Sequence, residues 1–286
     1  MRTICARRAN TAGRVIIKIQ APLTMAETLE TRGHDPLEEI AMLALEFGRL
    51  LMEAGASARH VDEIAFQVAT GLGADRMDLR VGYASLAITI GIGADGISRM
   101  RKVGPLGVNQ SLYRALGDAA ARIERERLTV AEARSELENL VRTSAHHPDW
   151  VVALAVGVAC GAFGRLLGVD WGGVGPIFAA AAIGQMVRRR LALHGVNAFI
   201  STTVVAFLAS TLCGLGARWA GSQTVATDMT AAVLLLVPGV PALNAQSDIL
   251  EGRPTLGSAR AVWVAFMLVF ITAGMRLAQG LLGDGH

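Results

Sequence analysis

Five apolar runs fill the chain from Trp150 almost to its end, and they constrain the fold more than any other feature. Their bounds are about 150–169, 171–187, 196–217, 229–247 and 258–282. Each approaches the roughly 20 residues that an α-helix needs to cross a bilayer. Because lipid offers no hydrogen bonds to exposed backbone, such segments fold as helices. The sequence therefore predicts an α-helical membrane protein with five transmembrane helices.

Charge is segregated between the two halves of the chain. Of the Asp, Glu, Lys and Arg residues, 38 lie in 1–149 and 13 in 150–286. The net charge of +3 belongs to the apolar half, so the basic balance does not indicate a nucleic-acid partner. If the N-terminal domain is cytoplasmic, the inner loops and adjoining span ends obey the positive-inside rule. These ends carry Arg188, Arg189, Arg190, Arg253 and Arg260.

The residues before the apolar runs predict a small α/β domain. We expect a flexible tail over 1–33, a cytoplasmic α/β domain over 34–145 and the transmembrane domain over 146–286. Capping residues and apolar spacing place the helices, and β-branched residues place an antiparallel sheet. The expected elements are a helix from Asp35-Pro36 to Gly55, a helix from Ser57 to about Thr70, strands Met77–Val81, Tyr83–Ile90 and Ile97–Val103, a helix over Val108–Glu126, and a helix from Thr129 to about Arg142.

The fourth apolar run is interrupted by the sequence Pro238-Gly239-Val240-Pro241. Each proline lacks a backbone N–H and clashes with a carbonyl one turn earlier, so the carbonyls of Leu234 and Val237 lose their helical partners. Neighbouring helices, hydroxyl groups or water must then satisfy those carbonyls. The break predicts either a lining of the transport pathway or a simple proline kink, which membrane helices tolerate.

Polar residues follow the break at helical spacing. Pro241, Asn244 and Asp248 stand at i, i+3 and i+7, so a restarted helix places an amide and a carboxylate on one face. Its N-terminal N–H groups suit a substrate carboxylate. Asn244 is expected to hydrogen-bond the substrate, and Asp248 to pair with an ammonium group or carry a proton. The alternative for Asp248 is a solvated acid in a loop.

Arg165 and Gln185 are further candidates for the pathway. The alternatives are a snorkelling arginine at a span end and an amide that bonds only between helices. Gly91–Gly96 matches G-x-G-x-x-G but is read as a hairpin turn, because a strand rather than a helix follows it. The sequence indicates no metal site and no cofactor: His146-His147 lacks further ligands, and the three cysteines are far apart.

The order of parts and three motifs resemble the threonine/serine exporter family over residues 35–283. The motifs are Glu53-Ala-Gly55-Ala, the Asp95-Gly96 hairpin followed by Arg99 and Arg101, and the stretch Ala231–Asp248. The resemblance implies gradient-driven efflux of small hydrophilic metabolites, with the proton gradient as a candidate driving force. Longer members carry a second membrane region, so this chain resembles the larger subunit of split versions. A second, small membrane subunit is then expected as its partner.

The resulting hypothesis is an exporter in the inner membrane of a bacterium, with threonine or serine as substrate and no enzymatic activity. One alternative is export of small dicarboxylates by the same architecture. Another is a membrane-anchored hydrolase or a sensor, although no nucleophile and base pair is recognisable in the sequence.

Overall fold

A computed structural model describes residues 36–91, 96–143 and 147–283. The chain is mostly helical, with one small sheet near its N-terminus. The helices are α1 Pro36–Glu53, α2 Ala58–Gly71, α3 Gln110–Glu126, α4 Val130–Thr143, α5 Asp149–Leu166, α6 Trp171–Leu193, α7 Ala198–Trp219, α8 Val225–Ala232, α9 Gly239–Leu250 and α10 Pro254–Leu282. The strands are β1 Met77–Val81, β2 Ser85–Ile90 and β3 Ile97–Lys102. The predicted tail over 1–33 lies outside the described residues.

Local signals set the ends of the first two helices as expected. Gly55 ends the α1 segment in a left-handed conformation, with φ of 98°, which glycine adopts without steric cost. Ser57 caps α2, because its side chain accepts a hydrogen bond from the backbone N–H of His60. The predicted cap of α1, Asp35, lies outside the described residues.

The sheet is antiparallel in the order β1-β2-β3, as predicted. Its central strand buries Leu86, Ile88 and Ile90 completely, because α1 covers one face of the sheet. β2 begins at Ser85 rather than at Tyr83, and this places Tyr83 in the connection between two strands. The hairpin turn predicted at Asp95-Gly96 falls largely outside the described residues, which include Gly96 alone of that pair.

Side-chain caps also start the next two helices. α3 begins at Gln110 instead of Val108, because Asn109 accepts a hydrogen bond from the N–H of Leu112 at 3.0 Å. The predicted capping box before α4 is confirmed: the Glu132 carboxylate accepts from the N–H of Thr129 at 2.8 Å. Helices α1 to α4 and β2 share one hydrophobic core, which we call the N-terminal unit (residues 36–143).

Three described helices are long and apolar enough to cross a membrane by themselves: α5, α7 and α10. A fourth crossing is possible if α8 and α9, which are bent by 66° at the break, count as one span. α6 has 23 residues, but Pro176, Gln185 and the arginines at its end lower its mean hydropathy. The predicted number of five spans is therefore not confirmed.

Small residues allow the helices after Asp149 to approach closely. A Cβ atom added to Gly157 would lie 2.8 Å from the carbonyl oxygen of Phe178, and one added to Gly164 would lie 2.9 Å from Ile177 Cδ1. Gly157 and Gly164 thus mark the contact between α5 and α6. The α7–α10 contact depends on Gly274 in the same way, since a Cβ there would lie 2.5 Å from the carbonyl oxygen of Thr203.

We predict that Gly274→Ala destabilises the bundle by about 1–3 kcal/mol, the usual cost of overpacking. The matched control is Gly280→Ala on the same helix, where an added Cβ meets nothing within 4 Å. Equilibrium unfolding in detergent measures both. An equal effect of the two substitutions would contradict the close contact between α7 and α10.

Candidate functional site

The break between α8 and α9 follows the path that the prolines impose. After α8 the chain makes one short 3-10 turn over Leu234–Leu236, extends at Val237 and restarts as α9 at Gly239. Pro238 lies just before the new helix and Pro241 in its first turn, where no backbone N–H is needed.

The backbone of the break is satisfied locally, which corrects one expectation from the sequence. The Leu234 carbonyl accepts a hydrogen bond from the N–H of Val237 at 3.1 Å, and the Val237 carbonyl accepts from the N–H of Gly239 at 2.9 Å. The prediction that other helices, hydroxyl groups or water must meet these two carbonyls is therefore wrong. The break alone does not require water beside it.

Asp248 is completely buried and forms an ion pair inside the protein. Its Oδ2 accepts a hydrogen bond from Nη1 of Arg260 at 2.6 Å, and its Oδ1 accepts from the backbone N–H of Ala58 at 3.0 Å. The interpretation of Asp248 as a solvated loop acid is wrong. Its partner is an arginine of the same chain, so an ammonium group would have to compete with that arginine.

Polar groups of α9 and α10 also bind the short loop between α1 and α2. The Asn244 amide donates to the carbonyl of Gly55 at 2.8 Å, and Nη2 of Arg260 donates to the carbonyl of Ala56 at 3.4 Å. With the bond from Ala58, the first residue of α2, to Asp248, three contacts join the connection between α1 and α2 to the membrane helices. We call Asn244, Asp248 and Arg260 with their three loop partners the clasp.

A cavity of about 320 Å³ lies beside the clasp, between the N-terminal unit and the membrane helices. The N-terminal unit lines it with Met52, Gly55, Ala56, Tyr83, Ala84, Val103, Gly104, Pro105, Leu106 and Gly107. The membrane helices contribute Ala198, Val240, Pro241, Asn244, Arg260 and Trp263. Among these described residues Arg260 alone is charged, and Asp248 pairs with it at 2.6 Å.

The motif Glu53-Ala-Gly55-Ala holds one wall of this cavity in place. The Glu53 carboxylate accepts from the N–H of Gly104 at 2.8 Å, and the Glu53 carbonyl accepts from the N–H of Gly107 at 2.9 Å. Arg49 donates to the same carboxylate at 2.7 Å. Hydrogen bonding to Glu46, with a further contribution from Glu53, raises the pKa of the Arg49 guanidinium above its ordinary value despite its burial.

The structure brings only some of the predicted site residues together. Pro241 and Asn244 line the cavity. Asp248 does not line it but pairs with Arg260, which does. Pro238 and Gly239 are not among the lining residues. Gln185 lies in a separate polar recess with Asp149 and Arg189.

Arg165 is likewise outside the cavity, at the end of α5. Its guanidinium donates to the carbonyl of Val169 and lies 4.4 Å from the centre of the Trp171 ring. These contacts support the alternative role of a side chain held at the end of a membrane helix.

Sequence reasoning missed three residues of interest. Arg260 was counted only as an inside-facing charge, although a charge within an apolar run is itself a signal. Tyr83 lines the cavity, and no sequence signal marks it, because its place there depends on the approach of distant segments. Asp228 is completely buried in α8 and accepts hydrogen bonds from Ser222 at 2.6 Å and from Thr224 at 2.9 Å.

The apolar helices, the broken helix pair and the cavity beside it define a multi-pass membrane protein. Residues 42–282 match the model of the threonine/serine exporter family, ThrE. The chain therefore belongs to this family of membrane transporters, and the resemblance found in the sequence is confirmed.

Two relatives share most of their length with this chain. The protein named "Probable succinate transporter subunit YjjP" from Klebsiella aerogenes is 25% identical over 245 residues, which cover 85% of this chain and 94% of the relative. The protein of the same name from Escherichia coli strain K12 is 27% identical over 250 residues, which cover 85% and 95%. No solved structure matches the chain significantly.

We predict that Asp248→Asn lowers the free energy of unfolding by about 3–5 kcal/mol, because it leaves the buried Arg260 without a counter-charge. The control is Asp62→Asn, which breaks the more exposed pair with Arg253 and should cost about 0–1 kcal/mol. Unfolding in detergent measures both variants. A loss for Asp248→Asn no larger than that for Asp62→Asn would contradict a buried charge pair.

Proposed function

We propose that this chain is one subunit of an exporter that moves small carboxylate metabolites out of the bacterial cytoplasm across the inner membrane. Threonine or serine is the first candidate substrate, and the cavity beside the clasp is the binding site. The observation that carries the proposal is the single guanidinium of Arg260 at a cavity of about 320 Å³ in a member of a transporter family. The cavity also offers the Asn244 amide, and the bond to Gly55 uses one of its two N–H donors.

The proposed topology has five spans, with the N-terminal unit in the cytoplasm and domain divisions at 34–145 and 146–286. The contacts of α6 with both α5 and α7 support a span at that position. Arg253 bonds to Asp62 at 2.9 Å, so the loop before α10 lies on the same side as the N-terminal unit. At the other end of the helices, the carboxylate of Asp170 accepts from the N–H of Gln223 at 2.7 Å, which joins the two proposed outer loops.

Two substrate classes remain in competition, and each has its own support. Asp248 already neutralises the single cation among the described lining residues, which favours a substrate with one carboxylate, such as an amino acid. The name of the relatives, a succinate transporter subunit, favours a dicarboxylate. A dicarboxylate has a second carboxylate, and a cation that pairs with it would have to come from residues outside this lining.

The word "subunit" in the name of both relatives supports an assembly with a second protein. Relatives that match this chain over 94% and 95% of their length are called subunits, so we propose a complex with a separate small membrane protein. A proton gradient remains the proposed driving force.

Asn244→Ala should lower export by about tenfold, the effect of losing a hydrogen bond worth about 1.4 kcal/mol. The control is Gln246→Ala, which removes an exposed amide of the same helix that does not line the cavity. The measurement is efflux of preloaded radiolabelled threonine or succinate from cells with matched protein abundance. Equal efflux by the two variants would remove Asn244 from the pathway.

Reconstitution tests the need for a second subunit. The complex purified from native membranes should move threonine or succinate in liposomes, whereas this chain alone should not. Transport by the chain alone at the rate of the complex would refute the proposed two-component assembly.

A further inference from the structure

Tyr83 of the N-terminal unit lies at the same cavity as Arg260. It is 37% exposed and lines the cavity together with Arg260. We propose that Tyr83 binds the substrate, its hydroxyl donating a hydrogen bond to the carboxylate that Arg260 attracts. The proposal rests on the function proposed above and adds that the N-terminal unit supplies part of the transport site.

Backbone hydrogen bonds fix the position of Tyr83. The N–H of Gly82 donates to the carbonyl of Ser85 at 2.9 Å, and the N–H of Val103 donates to the carbonyl of Ala84 at 2.9 Å. These bonds tie the connection between β1 and β2 to the end of β3. The following loop, 104–107, is held by Glu53. Tyr83 is therefore presented to the cavity by a connection tied to neighbouring backbone at both of its ends.

The protonation state of the phenol makes it a donor. Burial raises the pKa of Tyr83 above its ordinary value, and the opposing effect of the Arg260 charge is smaller. Tyr83 is thus neutral near pH 7 and keeps its O–H. Within residues 36–91, 96–143 and 147–283, the Tyr83 hydroxyl has no hydrogen-bond partner in the protein. Tyr83 lines the cavity, and a hydroxyl without such a partner remains available to a ligand.

The donors at this end of the cavity match an ionised carboxylate, which is an acceptor only. Arg260 has five N–H donors, and its bonds to Asp248 and Ala56 engage two of its nitrogens through Nη1 and Nη2. Tyr83 adds a neutral O–H on the opposite wall. A carboxylate bound between them would contact the membrane helices and the N-terminal unit together. Threonine, serine and a dicarboxylate share this group, so the proposal covers each of them.

The chain has two tyrosines, and the second provides a matched control. Tyr113 stacks on His60 with ring centres 4.9 Å apart and packs against the core of the N-terminal unit. It does not line the cavity. Removing its hydroxyl preserves the stacked ring.

The test compares Tyr83→Phe with Tyr113→Phe in the full chain with its native membrane partner. Uptake of radiolabelled threonine and of succinate into inside-out vesicles gives the half-saturating concentration and the maximal rate. For the probe that the wild type transports, Tyr83→Phe should raise the half-saturating concentration by about tenfold, as expected for one lost hydrogen bond to a charged group. The maximal rate and the unfolding midpoint should stay unchanged, and Tyr113→Phe should match the wild type.

The failures of the two proposals are distinguishable. An active wild type with an unchanged half-saturating concentration in Tyr83→Phe overturns the role of Tyr83 and leaves the exporter in place. A fall in maximal rate together with a lower unfolding midpoint would show a structural effect and would also overturn the role. A wild-type complex that transports neither probe overturns the proposed function itself.

Discussion

The buried ion pair between Arg260 and Asp248 is the interaction on which the rest of the site depends. A buried ion pair needs further hydrogen bonds to offset the loss of water, and here the backbone of Ala56 and of Ala58 supplies one bond each. The pair therefore joins three parts of the protein: the restarted helix α9, the long helix α10 and the loop after α1. Asn244 and Pro241 of the same helix α9 line the cavity.

This arrangement gives the N-terminal unit a direct part in the site. Its backbone satisfies the clasp, and the loop held by Glu53 forms a wall of the cavity. Under the proposed function, a substrate would meet residues of the N-terminal unit before it passes between the membrane helices. Rearrangement of the clasp would change the access to the cavity, because the clasp joins its two walls.

Local elements could be predicted from the sequence, and long-range pairings could not. Ser57, Gly55 and the Thr129–Glu132 box act on neighbouring residues, so they fixed the helix ends correctly. The prolines located the broken helix, but the conclusion about its carbonyls was wrong, because backbone N–H groups within the break satisfy both of them. Nothing in the sequence spacing pairs Asp248 with the backbone 190 residues earlier. Tyr83 could not be predicted for the same kind of reason, because its place at the cavity depends on the docking of two segments that are far apart in sequence.

Under the proposed function, the cavity binds the substrate and is reached from the cytoplasm. The direct measurement is labelling of Val240→Cys, in a chain whose three native cysteines are replaced by alanine, with a charged, membrane-impermeant thiol reagent. Val240 lines the cavity, so the account predicts rapid labelling in inside-out vesicles and slower labelling when threonine or succinate is present. Labelling from the opposite face alone, or from neither face, would contradict it.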